Sequence, residues 1–275
     1  MKPLFFATSL SIISVLFFGC RTAVQVVDMQ PTSPNIKDNQ THYVFDNDTI
    51  RIAYHFWGDR GTFWFEIQNK LNVPIYIDWK RSNLVNNNIP NAYWDDNKQV
   101  STVSLGKSYG AAVLGSNGVA VSAAVGGSVS NSIVTSKERI SFLSPKAITY
   151  SPQFRIADQY YVLSKDAVRT DEANDAKPVK MTPVFTQRLA ENTPIELTNF
   201  LTLSLTESFD KEIFVSNSFI ASEVREMETS HFNGKPVGQD YNFGSLYEPP
   251  SASEKRFFLV VPKDYNHRTY WKLKN

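Results

Sequence analysis

The sequence predicts an all-β protein built from antiparallel strands, closed as a sandwich or barrel. Three observations carry that expectation. Aromatic residues make up 13% of the chain, and together with abundant Val, Ile and Thr they favour strands over helices. Several runs alternate apolar and polar residues with a period of two, as a strand with one buried face does. Short polar turns separate these runs, giving the spacing of a meander.

In chain order, the first segment is of a different kind. Lys2 precedes an apolar or small run from Leu4 to Gly19, and Cys20 ends it. A positive start followed by an apolar stretch of this length has the layout of a signal peptide, here residues 1–19. The stretch is short of the roughly twenty residues that span a bilayer. Leu16-Phe17-Phe18-Gly19-Cys20 resembles the lipobox of bacterial lipoproteins, although Phe17 and Phe18 stand where that pattern prefers Leu and a small residue. The resemblance implies lipid attachment at Cys20, with that residue as the new N-terminus. Cys20 is the single cysteine, so acylation also removes an otherwise unpaired thiol, and the mature chain forms no internal disulfide.

Residues 20–42 hold Pro31, Pro34 and several Asn and Gln. They are expected to form a flexible tether, with a coil reach of about 25 Å for about twenty residues. A β-sandwich domain is expected over 43–275. In the run Ile50 to Trp57, the residues Ile50, Ile52, Tyr54 and Phe56 share one face. Gly58-Asp59-Arg60-Gly61 is a turn, and Phe63, Phe65 and Ile67 then face inward while Glu66 and Gln68 face outward. After Asn69-Lys70-Leu71-Asn72 the chain returns with Ile75, Ile77 and Trp79 inward.

Residues 82–98 read as a polar loop and 99–105 as a further strand. From about 106 to 132 Gly, Ala, Ser and Val dominate. Such a composition predicts a weakly ordered loop, with the alternating Val119, Val121, Ala123 and Val125 as the sequence of a β-ribbon if it does order. Lys137 to Lys146 forms a strand running into a Pro145 turn. Residues 154–156 and 160–163 are short strand candidates, and about 164–180 is a second polar loop. Residues 195–205, 211–221 and 256–261 are stronger strands. Residues 222–228 suit one or two helical turns, and 230–254 a long loop.

Loss of Lys2 with the signal leaves 27 basic and 27 acidic residues. A balanced chain has no electrostatic footprint for nucleic acid, so none is expected as a partner.

The runs Phe63-Trp64-Phe65-Glu66-Ile67-Gln68-Asn69-Lys70 and Pro74-Ile75-Tyr76-Ile77-Asp78-Trp79, with the later Ser144-Pro145-Lys146 turn, resemble a pattern of uncharacterised Bacteroidetes-type envelope lipoproteins. The resemblance covers about residues 50–150, with a weaker echo near 199–207. It implies an immunoglobulin-like β-sandwich and no particular activity. Surface-exposed members carry acidic residues just after the cysteine. Arg21-Thr22-Ala23-Val24-Gln25 lacks them, so the periplasmic side of the outer membrane is expected.

Catalytic and metal chemistry find little support. His42, His55, His231 and His267 include no pair at the local spacing of a metal site. His55 reads as a surface or hydrogen-bonded residue. Asp46-Asn47-Asp48 and Asp95-Asp96-Asn97 lack the loop of a calcium hand and suit turns. No nucleophile elbow or phosphate loop is present. The candidate binding residues are aromatic. Trp57 and Trp64 lie opposite the main apolar stripes of their strands, and Tyr93 and Trp94 sit in a polar segment. Exposed aromatics of this kind stack on sugar rings or anchor a partner.

The sequence therefore points to a lipid-anchored, non-enzymatic interaction or accessory protein, with no cofactor and no metal. Its partners would be the membrane through the N-terminal lipid, and other envelope proteins. A carbohydrate-binding module using Trp57, Trp64, Tyr93 and Trp94 is the alternative, and an envelope hydrolase the weaker third.

Overall fold

A computed structural model describes residues 23–94, 111–114, 120–123, 138–174, 179–189, 193–240 and 244–261. The first eight strands are β1 (Ala23–Pro31), β2 (Ile36–Asp38), β3 (Tyr43–Asp46), β4 (Ile50–His55), β5 (Thr62–Asn69), β6 (Ile75–Asp78), β7 (Asn83–Asn86) and β8 (Ile89–Ala92). There follow β9 (Ala111–Leu114), β10 (Ala120–Ala123), β11 (Ile140–Leu143), β12 (Ile148–Tyr150), β13 (Phe154–Arg155), β14 (Val168–Ala173) and β15 (Met181–Arg188). The last are β16 (Glu196–Ser204), β17 (Glu212–Glu228), β18 (Pro236–Asp240), β19 (Gly244–Tyr247) and β20 (Arg256–Val261), and the described residues add a 3-10 turn, Trp79–Arg81, after β6 and a short α-helix, α1 (Thr229–Asn233), after β17. The all-β expectation holds, and every strand pairing is antiparallel.

Two large sheets make a sandwich. The smaller runs β12-β5-β4-β3-β2, with β13 on the other part of β5. The larger runs β11-β6-β16-β17-β1-β20. β17 is its spine: β16 pairs with its first half, β15 with its second, and β1 lies along the opposite side. Two hairpins, β9–β10 and β18–β19, stand apart from both sheets.

The alternation read from the sequence places the core. Ile50, Ile52, Tyr54 and Phe56 of the smaller sheet are buried, as are Phe63, Phe65 and Ile67. They meet Ile75, Ile77, Leu197, Leu201, Leu203 and Phe219 of the larger sheet. Phe219 contacts Tyr54 and Phe56 edge-on, at ring centroid distances of 4.8 and 5.1 Å. Each such pair adds about 0.5–1.5 kcal/mol beyond its buried area.

A polar contact set crosses this apolar layer. The Tyr54 hydroxyl accepts from the side-chain amides of Asn217 (2.7 Å) and Asn199 (3.1 Å). Asn199 in turn accepts from the Tyr93 hydroxyl at 2.8 Å. At the β3 end, the Tyr43 hydroxyl donates to the Met29 carbonyl of β1 at 2.8 Å. Burial drives the Tyr54 and Tyr93 hydroxyls far above the ordinary tyrosine value, so both stay neutral.

The expected tether over 20–42 is overturned from Ala23 onward: β1 is an interior strand and β2 an edge strand. Its polar residues misled because they are matched inside the fold. Gln25 donates to Glu226 and to the Tyr161 carbonyl, both at 2.7 Å, and Asp28 pairs with Arg256. The apolar residues of β1 serve both faces. Val27 and Met29 enter the main core, whereas Val24 and Val26 join a second cluster with Val184, Met227, Phe232 and Phe258.

Other loops also turn out structured. The predicted polar loop over 82–98 contains the β7–β8 hairpin, whose Asn87 and Asn88 take φ of 48° and 65°. Asn tolerates these values in a tight hairpin turn. The polar stretch 164–180 contains β14, an exposed strand. Residues 222–228 continue β17 and the helix begins at Thr229, because Val224 and Met227 each have a core to fill. Residues 160–163 form no strand. They hold position through Leu163, which is buried, and the Tyr161 amide, which donates to Gln25 at 2.7 Å. The proposed strand over 99–105 lies outside the described residues. The small-residue stretch is described only where β9 and β10 pair.

Gly61, in the predicted turn, has φ of +67°, and a Cβ there would overlap Ile156. Gly61→Ala should lower stability by more than about 1 kcal/mol, since the conformation and the space both resist it. Tyr54→Phe should cost about 1–3 kcal/mol by leaving two buried amides without their acceptor. Urea denaturation of each variant measures both effects, and an unchanged midpoint for Tyr54→Phe would show that the hydroxyl organises nothing.

Candidate functional site

The outer face of the smaller sheet carries a stripe that local spacing in the sequence does not reveal. The turn between β3 and β4 is tied by Asn47, whose side-chain oxygen accepts from the Thr49 and Ile50 amides at 2.9 and 2.8 Å. It sets Tyr43 opposite Tyr54, which brings His42 beside His55. Their rings lie 5.6 Å apart and are tilted by 28°. On the other side, β5 sets Trp64 opposite His55, and imidazole and indole stack at 3.9 Å and 7°. Tyr150 of β12 continues the row, 6.0 Å from Trp64.

Carboxylates flank the imidazoles. Glu254 lies 3.2 Å from His55 Nδ1, and Glu66 lies 3.5 Å from His55 Nε2. The longer separation makes Glu66 an electrostatic neighbour of a ring nitrogen that has no hydrogen-bond partner. His42 Nδ1 meets the Thr41 hydroxyl at 2.9 Å, whereas its Nε2 is buried without a partner. Burial pushes the His42 imidazole below its ordinary value. His55 and Arg51 add to that shift, and Glu66 and Glu254 oppose it. His55 is 8% exposed and hydrogen-bonds through Nδ1 alone, so the expectation of a surface or hydrogen-bonded histidine is met only in part.

Chemically the stripe offers flat π surface grading from interior to solvent: Trp64 is half-buried and Tyr150 is 48% exposed. Among the described residues, no group of three or more His, Cys, Asp or Glu side chains is arranged to hold a metal ion. Beside Tyr150 lies a concavity of about 200 Å³ lined by Trp79, Glu138, Ser141, Thr149, Tyr150 and Pro152. That is below the roughly 300–1,000 Å³ of sites that engulf a small molecule. It suits contact with one ring or side chain.

The four aromatic residues singled out from the sequence are not brought together. Trp64 belongs to the stripe. Trp57 is half-buried in the second cluster, beside Phe258 (5.3 Å) and Phe232 (6.3 Å). Tyr93 is corrected from a loop aromatic to a core residue: it is 4% exposed, and Phe65, Trp79 and Phe154 surround it edge-on. The matching of its hydroxyl by Asn199 explains how a segment of polar sequence buries it. Trp94 is half-buried with the Lys80 ammonium 5.0 Å from its ring centre.

Of the remaining singled-out residues, His231 sits in a separate cluster with Thr182 (2.8 Å) and Glu172 (3.5 Å), the latter also bound by Arg225. Cys20, His267 and the 95–97 acidic turn lie outside the described residues.

The lowered value of His42 has a defined consequence for stability. The folded state resists protonation that the unfolded chain accepts near pH 6.5. Stability is therefore fully present above that pH and declines as pH falls below it toward the folded value. His42→Gln should lose less stability than the wild type between about pH 7.5 and pH 5.5, a range that brackets the ordinary histidine value. Urea midpoints at each pH test this, and parallel profiles would contradict it.

No family model matches the chain, and neither a curated protein nor a solved structure matches it.

Proposed function

We propose that the chain is an envelope lipoprotein, anchored through Cys20, whose β-sandwich acts as a non-catalytic interaction or accessory subunit at the periplasmic side of the outer membrane. The observation that carries this reading is the position of the single cysteine, directly after a positively started apolar run. The resemblance of residues 63–82 to Bacteroidetes-type envelope lipoproteins points the same way. The outer stripe of the smaller sheet supports a binding role, because an exposed Tyr150 backed by stacked Trp64 and His55 gives a rigid aromatic contact. Aromatic anchors of that kind dominate binding interfaces.

The anchor is tested by metabolic labelling with a fatty-acid analogue and by fractionation. Wild type should label and sediment with membranes, and Cys20→Ser should lose the label. Equal labelling of the two would refute acylation at this residue. The interaction role is tested by cross-linked pull-down from membranes, where a stable envelope complex should weaken with Tyr150→Ala.

A second reading is carbohydrate recognition at the concavity beside Tyr150, where Glu138, Ser141 and Thr149 supply polar groups next to the ring. Glycan-array binding that Tyr150→Ala abolishes and Trp57→Ala leaves intact would favour it over a protein partner.

A further inference from the structure

We propose that the free edge of β12 takes an extended segment of a protein partner as an added strand, with a lysine or arginine of that segment seated in the concavity beside Tyr150. This rests on the reading of the sandwich as an interaction subunit, and it specifies the chemistry of what the sandwich holds.

The first support is the backbone. β12 is the outermost strand of the smaller sheet. The Asn69 amide donates to the Ala147 carbonyl and the Ser151 amide to the Phe65 carbonyl, both at 2.9 Å. Thr149 lies between them, opposite Ile67. Residues 147, 149 and 151 therefore turn their backbone groups toward β5. The alternation of an antiparallel ladder directs the N–H and C=O of Ile148 and Tyr150 the other way. Among the described residues no backbone group bonds them. The edge is short, because Lys146 turns with φ of 61° on one side and Pro152, without an N–H, ends it on the other. It matches a few residues of extended chain, whose main-chain bonds give affinity while its side chains give specificity.

The second support is the arrangement of side chains. Ile148 and Tyr150, whose backbone groups are free, are each 48% exposed. Thr149 faces between the sheets, opposite Ile67, as Ser141 of β11 does opposite Ile77. With Trp79, Glu138, Tyr150 and Pro152 they line the concavity of about 200 Å³. The Trp79 indole donates to the Ser141 hydroxyl at 2.7 Å, which fixes one wall. Side chains of an added strand alternate. Those opposite Ile148 and Tyr150 pack beside them, and the one opposite Thr149 enters the concavity.

The third support is charge. Glu138 lines the concavity, and Glu66 stands opposite Tyr150. Among the described residues neither pairs with a lysine or arginine, and Glu66 has only the His55 ring, 3.5 Å away. Nearby cations are engaged elsewhere: Arg139 with Asp78, and Lys146 with the Lys70 carbonyl. A cation held beside aromatic rings and a carboxylate gains from both. A sugar would use the rings but would leave the charge unanswered.

The full-length protein is panned against a displayed library of short random peptides, and the recovered sequences are titrated by fluorescence anisotropy. Wild type should enrich β-branched residues around a Lys or Arg at one fixed position. Glu138→Gln should weaken those peptides by about threefold, the size of one exposed ion pair. Replacing their cation by norleucine should erase that difference. Ile148→Pro removes an edge donor without touching the ladder to β5, and should weaken binding by more than about fivefold, the effect of one lost hydrogen bond. Methylating the peptide's backbone amides reads the same contact with the protein unaltered. Enriched peptides that tolerate both amide methylation and Glu138→Gln would overturn the proposal while leaving an interaction role on another surface. Recovery of no preferred sequence would overturn both. Glycan-array binding that Tyr150→Ala abolishes, in a protein that selects no cationic peptide, would give this edge to carbohydrate instead.

Discussion

The sandwich depends on one constraint: a thick aromatic layer must stay dry while the few polar atoms inside it find partners. Tyr54 meets both demands. Its ring contacts Phe63, Phe65 and Phe219, and its hydroxyl accepts from Asn199 and Asn217 of the opposing sheet. Because a hydrogen bond is directional and apolar contact is not, the hydroxyl fixes how the two sheets slide relative to one another. With a single cysteine, the chain has no internal disulfide to do this. Two asparagines and two tyrosines take that part, and the position of Tyr93, and hence of the chain leaving β8, follows from it.

The outer stripe of the smaller sheet follows from the same geometry. The register that sends Tyr54 inward sends His55 outward, onto Trp64 and beside His42. Glu254 closes over His55 because its backbone carbonyl accepts from the Phe56 amide at 3.0 Å, joining the segment before β20 to the end of β4. The stripe is thus held by both the sheet and the crossing chain. Its exposed end at Tyr150 is presented on a fixed base.

Strand faces in the smaller sheet were legible because each strand there has one buried side. The pattern from Ile50 to Ile67 marks the core residue by residue, and Ile75, Ile77 and Trp79 extend it. β1 escaped for the opposite reason: a strand covered on both faces loses alternation, and Gln25 and Asp28 look solvent-facing until Glu226 and Arg256 are set beside them. β14 escaped because it is exposed along most of its length and carries an ordinary surface composition. The candidate site was half legible. Trp64 stood out as an aromatic on an outward face. His42 and His55 are thirteen positions apart, so only the turn at Asn47 reveals them as neighbours. Tyr93 was misjudged because its surroundings in sequence are polar while its surroundings in space are rings.

The pairing of β1 also sets an order of events. Its two neighbours, β17 and β20, lie about 200 residues further along, as the Gln25–Glu226 separation of 201 shows. Both strands that complete its backbone ladder come from this far end of the chain. The β3–β4–β5 meander closes locally and early, whereas the larger sheet waits for nearly the whole chain, as non-local topologies do. The first stretch of the folded body is therefore the last to gain its partners. Until β17 and β20 form, that stretch keeps the backbone donors and acceptors of both its edges unpaired, and an open strand edge is a template for pairing with another chain.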